Sequence, residues 1–93
     1  MDPFGEDRDI IHIRVQQRNG RKCLTLVSGL ADDLDLKKIL RYLKKNYNTN
    51  GNVISDPQYG EIIQLQGDQR KNVYDAFVEW KVAEKEEMRV HGG

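Results

Sequence analysis

The chain has 93 residues, with 15 Lys and Arg against 15 Asp and Glu, 38% hydrophobic residues and 32% charged ones. That length and apolar share suit one small core and exclude a wholly disordered chain or a multidomain enzyme. No apolar run approaches the ~20 residues that cross a bilayer, and a lone cysteine, Cys23, excludes an internal disulfide or a Cys-rich zinc site.

Residues 1–9 carry Pro3, Gly5 and five charges, four of them acidic, and are expected to form a flexible acidic tail before a single domain over residues 10–93. They lack the cationic start and apolar stretch of a secretory signal, so a soluble cytoplasmic domain is expected. Ile11, Ile13 and Val15 then alternate with His12, Arg14 and Gln16, the pattern of a half-buried strand. Asn19-Gly20 reads as a two-residue hairpin turn, because a type I′ turn needs two residues at positive φ. Lys22 to Ser28 is the return strand. This turn sets Val15 against Leu24, Ile13 against Leu26 and Ile11 against Ser28, with the apolar residues on one face; a wider loop would shift the register.

Asp33 or Asp35 is placed to cap the next helix. Leu36, Ile39, Leu40, Leu43 and Tyr47 form one stripe at helical spacing, and Lys37, Lys38, Arg41, Lys44 and Lys45 cover the remaining surface. Asn50 or Gly51 suits a left-handed stop. Val53 and Ile54 open a third strand, Asp56 to Gly60 reads as a turn, and Glu61 to Gln66 is a fourth strand. Asp68 is the expected cap of a second helix, whose buried stripe is Val73, Ala76, Phe77 and Trp80. Glu84 to Glu87 is a polar break, and Met88 to His91 a short closing strand. The order is ββαββα with a final short β. The simplest packing is an α+β two-layer sandwich, both helices on one face of a sheet and the other face wet.

Charge is segregated although it sums to zero. Residues 10–30 hold Arg14, Arg18, Arg21 and Lys22 with no acid, and residues 37–55 hold the five helix cations with no acid. Two such blocks on one face would present a strong local field to a polyanion; the plainer alternative is a solvated surface with charges that deter edge pairing. The hairpin tip, Gln16 to Lys22, is the more informative block, because guanidinium groups on a stiff turn fit phosphates in a groove. Gln69, Arg70 and Lys71 add cations and free N–H groups at a helix start. Tyr42, Tyr47, Tyr59 and Tyr74 are dispersed and make no base-stacking ladder, so phosphate and shape would dominate any RNA contact.

Catalysis finds little support. Cys23 and His12 fall about 13 Å apart along the paired strands at about 3.3 Å per residue, too far for an imidazole to activate a thiol. Two histidines without clustered acids do not make a transition-metal site. There is no phosphate-cradling glycine loop and no nucleophile elbow, and no cofactor is expected.

From Ile10 onward the sequence resembles the eukaryotic translation initiation factor 1 family. The resemblance rests on Ile-His-Ile-Arg-Val-Gln-Gln-Arg-Asn-Gly-Arg-Lys at 11–22, Gly-Glu-Ile-Ile-Gln-Leu-Gln-Gly-Asp-Gln-Arg-Lys at 60–71 and Val-His-Gly at 90–92. It implies two helices on one side of a mixed sheet and a non-catalytic factor. It further implies binding to the small ribosomal subunit near the decoding peptidyl site. There such a factor promotes scanning and accurate start-codon selection, and leaves on codon recognition. By position, Arg18, Asn19, Gly20, Arg21 and Lys22 would lie against ribosomal RNA, and Gln69, Arg70 and Lys71 would add RNA contacts. Lys37, Lys38, Arg41, Lys44 and Lys45 would face subunit RNA or other initiation factors. Asp56, Pro57, Gln58, Tyr59 and Gly60 would lie nearest the initiator tRNA, with Asp56 opposing its full accommodation. The free protein is expected to be a monomer. Lys81 stands where the family commonly has glycine, so either the second helix runs on to about Ala83 or Lys81 takes a left-handed cap. Related domains also serve ribosome recycling and reinitiation within longer chains, and a protein-interaction module is a further alternative.

Overall fold

The computed structural model describes residues 10–20, 22–31 and 33–92. The expected tail at residues 1–9, and the tip residue Arg21, lie outside the described residues. The elements are β1 (Ile11–Asn19), β2 (Lys22–Ser28), α1 (Leu36–Tyr47), β3 (Gly51–Asp56), β4 (Gly60–Gln66), α2 (Arg70–Glu79) and β5 (Met88–Val90), with a 3-10 turn at Lys85–Glu87 before β5. One sheet runs β3-β4-β2-β1-β5. Its pairs are antiparallel except β1 with β5, which is parallel, so the sheet is mixed. No helix among the described residues is long and apolar enough to cross a membrane.

One face of the pleat supplies Ile11, Ile13, Val27, Ile63, Leu65 and Met88 to the core. The helices lie on it and add Ile39, Leu40 and Leu43 from α1 and Val73, Ala76 and Phe77 from α2. The 3.6-residue period in the sequence becomes a buried stripe on each helix, as amphipathicity requires.

The hairpin register differs from the sequence expectation by one residue. Ile13 pairs with Val27, Val15 with Thr25, and Gln16 with Leu24. The cause is a register shift between Gln17 and Asn19, where β1 carries one residue more than β2. Such a bulge moves every later side chain of the partner strand to the other face. Thr25 and Val27 therefore enter the helix-side core, while Leu24 and Leu26 turn to the opposite face. That face is drier than expected, since Leu24 and Ile62 are each only 4% exposed.

Helix boundaries follow local chemistry. Asp35 caps α1, its carboxylate accepting the Lys38 N–H at 3.1 Å. The left-handed stop falls on Asn48 (φ 51°) rather than on Asn50 or Gly51. Gly51 instead begins β3, where a Cβ would overlap the Gln64 carbonyl oxygen and come within 2.8 Å of Leu65 Cδ2. The α2 cap position is Gln69, one residue later than expected, and its side chain makes no cap bond; Asp68 still serves the helix start, its Oδ1 accepting the Arg70 N–H at 3.2 Å while the carboxylate also holds the Arg70 side chain. α2 ends at Glu79, and Lys81 adopts the left-handed conformation at φ 59°.

Candidate nucleic-acid interface

The hairpin tip is built from exposed residues on two interior strands of the sheet. Arg18, Asn19, Gly20 and Lys22 are all exposed. Asn19 pairs with Lys22, so Asn19 belongs to the ladder and is not a central turn residue, while Gly20 takes the positive φ of 56°. Gln17 Nε2 donates to the Gly20 carbonyl and braces the loop from inside. The cations stand on a stiffened arm and point to solvent, the condition for meeting a polyanion without first ordering a loop.

On α1, Lys37, Lys38, Arg41, Lys44 and Lys45 are all exposed. Lys44 and Lys45 occupy the last turn, where they also complement the helix dipole. The strand register locates this end of the helix. Gln66 N–H donates to the Asn50 carbonyl at 2.9 Å, and Leu24 pairs with Gln66, so the end of α1 and the tip-proximal half of the hairpin share one end of the sheet.

The start of α2 lies at that same end. Gly67 N–H donates to the Cys23 carbonyl at 2.9 Å. Thr25 Oγ1, fully buried, donates to the Gly67 carbonyl and accepts the Gln69 N–H, both at 2.7 Å. The Gln69 side chain is engaged on both sides, its Nε2 donating to the Gln66 carbonyl at 3.2 Å and its Oε1 accepting from Asn72 at 2.8 Å. Arg70 pairs with Asp68 and sends Nη1 to the His91 carbonyl at 2.7 Å. Arg70's side-chain hydrogen bond holds the Asp68 carboxyl below the usual carboxylate range, against the opposing effect of burial, and Asp68 in turn raises Arg70. Of the three residues expected to touch RNA here, Lys71 is the exposed one. Gln69 and Arg70 work mainly as internal ties.

The turn after β3 occupies the opposite end of the sheet. Gly60 is six residues from Gln66 along β4, about 20 Å at about 3.3 Å per residue. Asp56 Oδ1 accepts the N–H groups of Gln58 at 2.7 Å and Tyr59 at 3.0 Å, and Gly60 closes the turn at φ 76°. The Asp56 carboxylate thus shapes its own turn. Pro57, Gln58, Tyr59 and Gly60 are exposed. The structure gathers the hairpin tip, the end of α1 and the start of α2 at one end, and holds the Asp56–Gly60 turn apart from them.

Three features escaped the sequence reading. Arg14 lies 5.4 Å from the centroid of the Tyr59 ring. His12 Nδ1 sits 2.9 Å from His91 Nε2, tying β5 to β1 through side chains. A cleft of about 530 Å³ opens beside α1, lined by Leu34, Ile39, Tyr42, Trp80 and Val82 with Lys38 at its rim, and Tyr42 meets Trp80 edge-on at 5.9 Å. Only contacts between residues far apart in sequence create these features, so no local motif announces them. Among the described residues no three His, Cys, Asp or Glu side chains gather as metal ligands would. Cys23 pairs with Gln17, still well away from His12.

A family model described as Translation initiation factor SUI1 matches residues 7–83. Eukaryotic translation initiation factor 1 of Homo sapiens is 57% identical over 90 residues, covering 97% of this chain and 79% of that protein. Eukaryotic translation initiation factor eIF-1 of Saccharomyces cerevisiae is 48% identical over 99 residues, covering 99% of this chain and 92% of that protein. Among solved structures, the C-terminal domain of human eIF2D matches with a TM-score of 0.77 over 86% of this chain and 41% of that one; at 23% identity the likeness is one of fold alone.

Proposed function

The chain belongs to the SUI1 family of translation initiation factors, and from that premise we propose that it binds the small ribosomal subunit near the decoding peptidyl site. Its place in protein biosynthesis is that of a non-catalytic initiation factor. In this reading it works in the cytoplasm, joins the subunit as a monomer, promotes scanning and accurate start-codon selection, and leaves when the codon is recognised.

The observation that carries the reading is the meeting of three cationic groups at one end of the sheet: Arg18 and Lys22 on the hairpin, Lys44 and Lys45 on α1, and Lys71 on α2. Positive groups from three elements on one rigid end suit a phosphate scaffold read by shape. Arg21, Lys37, Lys38 and Arg41 extend the same charge along the loop and helix in sequence. The turn from Asp56 to Gly60, far from these cations and carrying an acid, is the part proposed to face the initiator tRNA. A negative charge there opposes a phosphate backbone that approaches too closely.

Subunit binding should weaken with salt along a log–log line whose steepness is roughly 0.7 for each phosphate neutralised. Replacing Arg18, Arg21 and Lys22 together by Ala should therefore flatten the slope by about 2, with the fold retained by circular dichroism. An unchanged slope would remove the hairpin from the interface.

A second reading, docking of another initiation factor on α1, is favoured by the cleft between Tyr42 and Trp80. Tyr42 is 45% exposed, and the cleft places apolar surface beside the cation Lys38. Both uses are compatible, since the cleft and the hairpin belong to different parts of the surface.

A further inference from the structure

We propose that Arg14 is a positioning residue that sets the angle of the Asp56–Gly60 turn by seating its guanidinium on the ring of Tyr59. This rests on the reading that the turn faces initiator tRNA.

What fixes the turn internally is local: Asp56 Oδ1 accepts two N–H groups of the turn, and Gly60 supplies the positive φ that closes it. None of these bonds reaches the sheet beyond β3 and β4. Pro57, Gln58, Tyr59 and Gly60 are exposed, and the neighbours of the turn on its other side are the residues of the β2–α1 connection, Leu30, Ala31 and Leu34, which share a small pocket with Tyr59 and Gly60. β3 is an edge strand, which leaves that side of the turn without a neighbouring strand.

Arg14 adds a constraint from the far side of β2. Its side chain leaves β1 on the face away from the helices, between those of His12 and Gln16, because Ile13 and Val15 alternate with it. β2 lies between β1 and β4, so Tyr59 must lean back over β2 to meet it. The guanidinium carbon stands 5.4 Å from the ring centroid, within the ~6 Å reach of a cation–π contact. Arg14 takes part in no ion pair among the described residues. A planar guanidinium stacks on a ring in a way an ammonium does not, so arginine suits this position better than lysine would. Exposed contacts of this kind bias a two-position equilibrium by roughly two- to fivefold. That is enough to favour one orientation of the tip and weak enough to let it yield.

The test is a double-substitution cycle on the full chain with Arg14→Gln, Tyr59→Leu, the pair together, and Tyr59→Phe as the variant that keeps the ring. The first readout is the backbone order of Gln58 to Gly60 by nitrogen-15 relaxation. Arg14→Gln and Tyr59→Leu should each lower it, the double variant no further than either, and Tyr59→Phe should retain it. The second readout is discrimination between matched and mismatched start codons in a reconstituted scanning assay. Arg14→Gln should change this about two- to fivefold while subunit affinity stays within about twofold. Additive effects on turn order, or an ordered turn in Arg14→Gln, would overturn the positioning role. A parallel loss of subunit affinity would also overturn it, by making Arg14 an RNA contact instead. A loosened turn with unchanged discrimination would keep the strap and reject the tRNA-facing reading on which its purpose depends.

Discussion

Arg70 grips Asp68 with two parallel bonds, Nε to Oδ1 at 2.9 Å and Nη2 to Oδ2 at 2.7 Å, and reaches the His91 carbonyl with Nη1. One guanidinium thereby joins the start of α2 to the residue after β5. The hydrogen bond from Arg70 lowers the Asp68 pKa in the folded state. A carboxylate depressed on folding stabilises the fold above its unfolded value of about 3.9 and loses that contribution as pH falls through the folded value. Denaturation midpoints followed from neutral pH down into the carboxylate range should therefore drop less steeply for Asp68→Asn than for the parent chain. Equal profiles would show that the pair contributes nothing to acid stability.

Lys81 carries a backbone strain that glycine would relieve. Its φ of 59° lies in the left-handed region, where a Cβ costs roughly 1–2 kcal/mol. Lys81→Gly should raise stability by about 1 kcal/mol, after allowing for the greater freedom of glycine in the unfolded chain. For a domain of this size the melting temperature should rise by roughly 4–8 °C per kcal/mol, which differential scanning calorimetry would register. A fall would mean that the Lys81 side chain makes a compensating contact.

The sequence was most legible where neighbours in the chain decide the outcome. The spacing of Ile39, Leu40 and Leu43 foretells the buried face of α1, and of the two acids placed to cap it, Asp33 and Asp35, the structure uses Asp35. Lys81 in a glycine position offered two outcomes, and the structure adopts the left-handed cap. Where two local signals compete, the reading slipped. Asp68 is a good cap residue and does accept the Arg70 N–H, but the cap position itself falls on Gln69, and the Arg70 guanidinium shares the same carboxylate. Asn19-Gly20 is a strong turn signal, yet the reversal closes at Asn19 and Lys22 after an extra residue at Arg18. That choice lets Thr25 face the α2 start and Val27 enter the core, a gain visible only once distant strands are in place. Arg14 with Tyr59, and His12 with His91, are partners that only the tertiary fold creates.

Thr25 ties β2 to the approach of α2 with one hydroxyl. It is fully buried, donates to the Gly67 carbonyl and accepts from the Gln69 N–H. Thr25→Val keeps the shape and removes both bonds, leaving the part-buried Gln69 N–H without its acceptor. The cost should be about 1–3 kcal/mol. Hydrogen exchange should quicken at Gln69 before it does at the centre of the sheet. Uniform exchange across both regions would point to general loosening in place of a local tie.

Gly51→Ala should loosen the β3 edge. The new methyl would meet the Gln64 carbonyl and stand 2.8 Å from Leu65 Cδ2 and 3.1 Å from Leu40 Cδ1. Backbone and core neighbours have little room to yield, so a loss of about 1–3 kcal/mol is expected. Amides along the β3–β4 ladder should lose protection while the β1–β2 ladder keeps it.

The place of the hairpin within the sheet decides how the body withstands a pull on its tip. β1 and β2 are interior strands in the order β3-β4-β2-β1-β5, each bonded to a neighbour on both sides. Tension along their axis meets hydrogen bonds that lie across it, and loads many rungs in shear together. An edge strand pulled sideways unzips one rung at a time. A hairpin rooted in this way can take a pull on its tip while the domain behind it holds together.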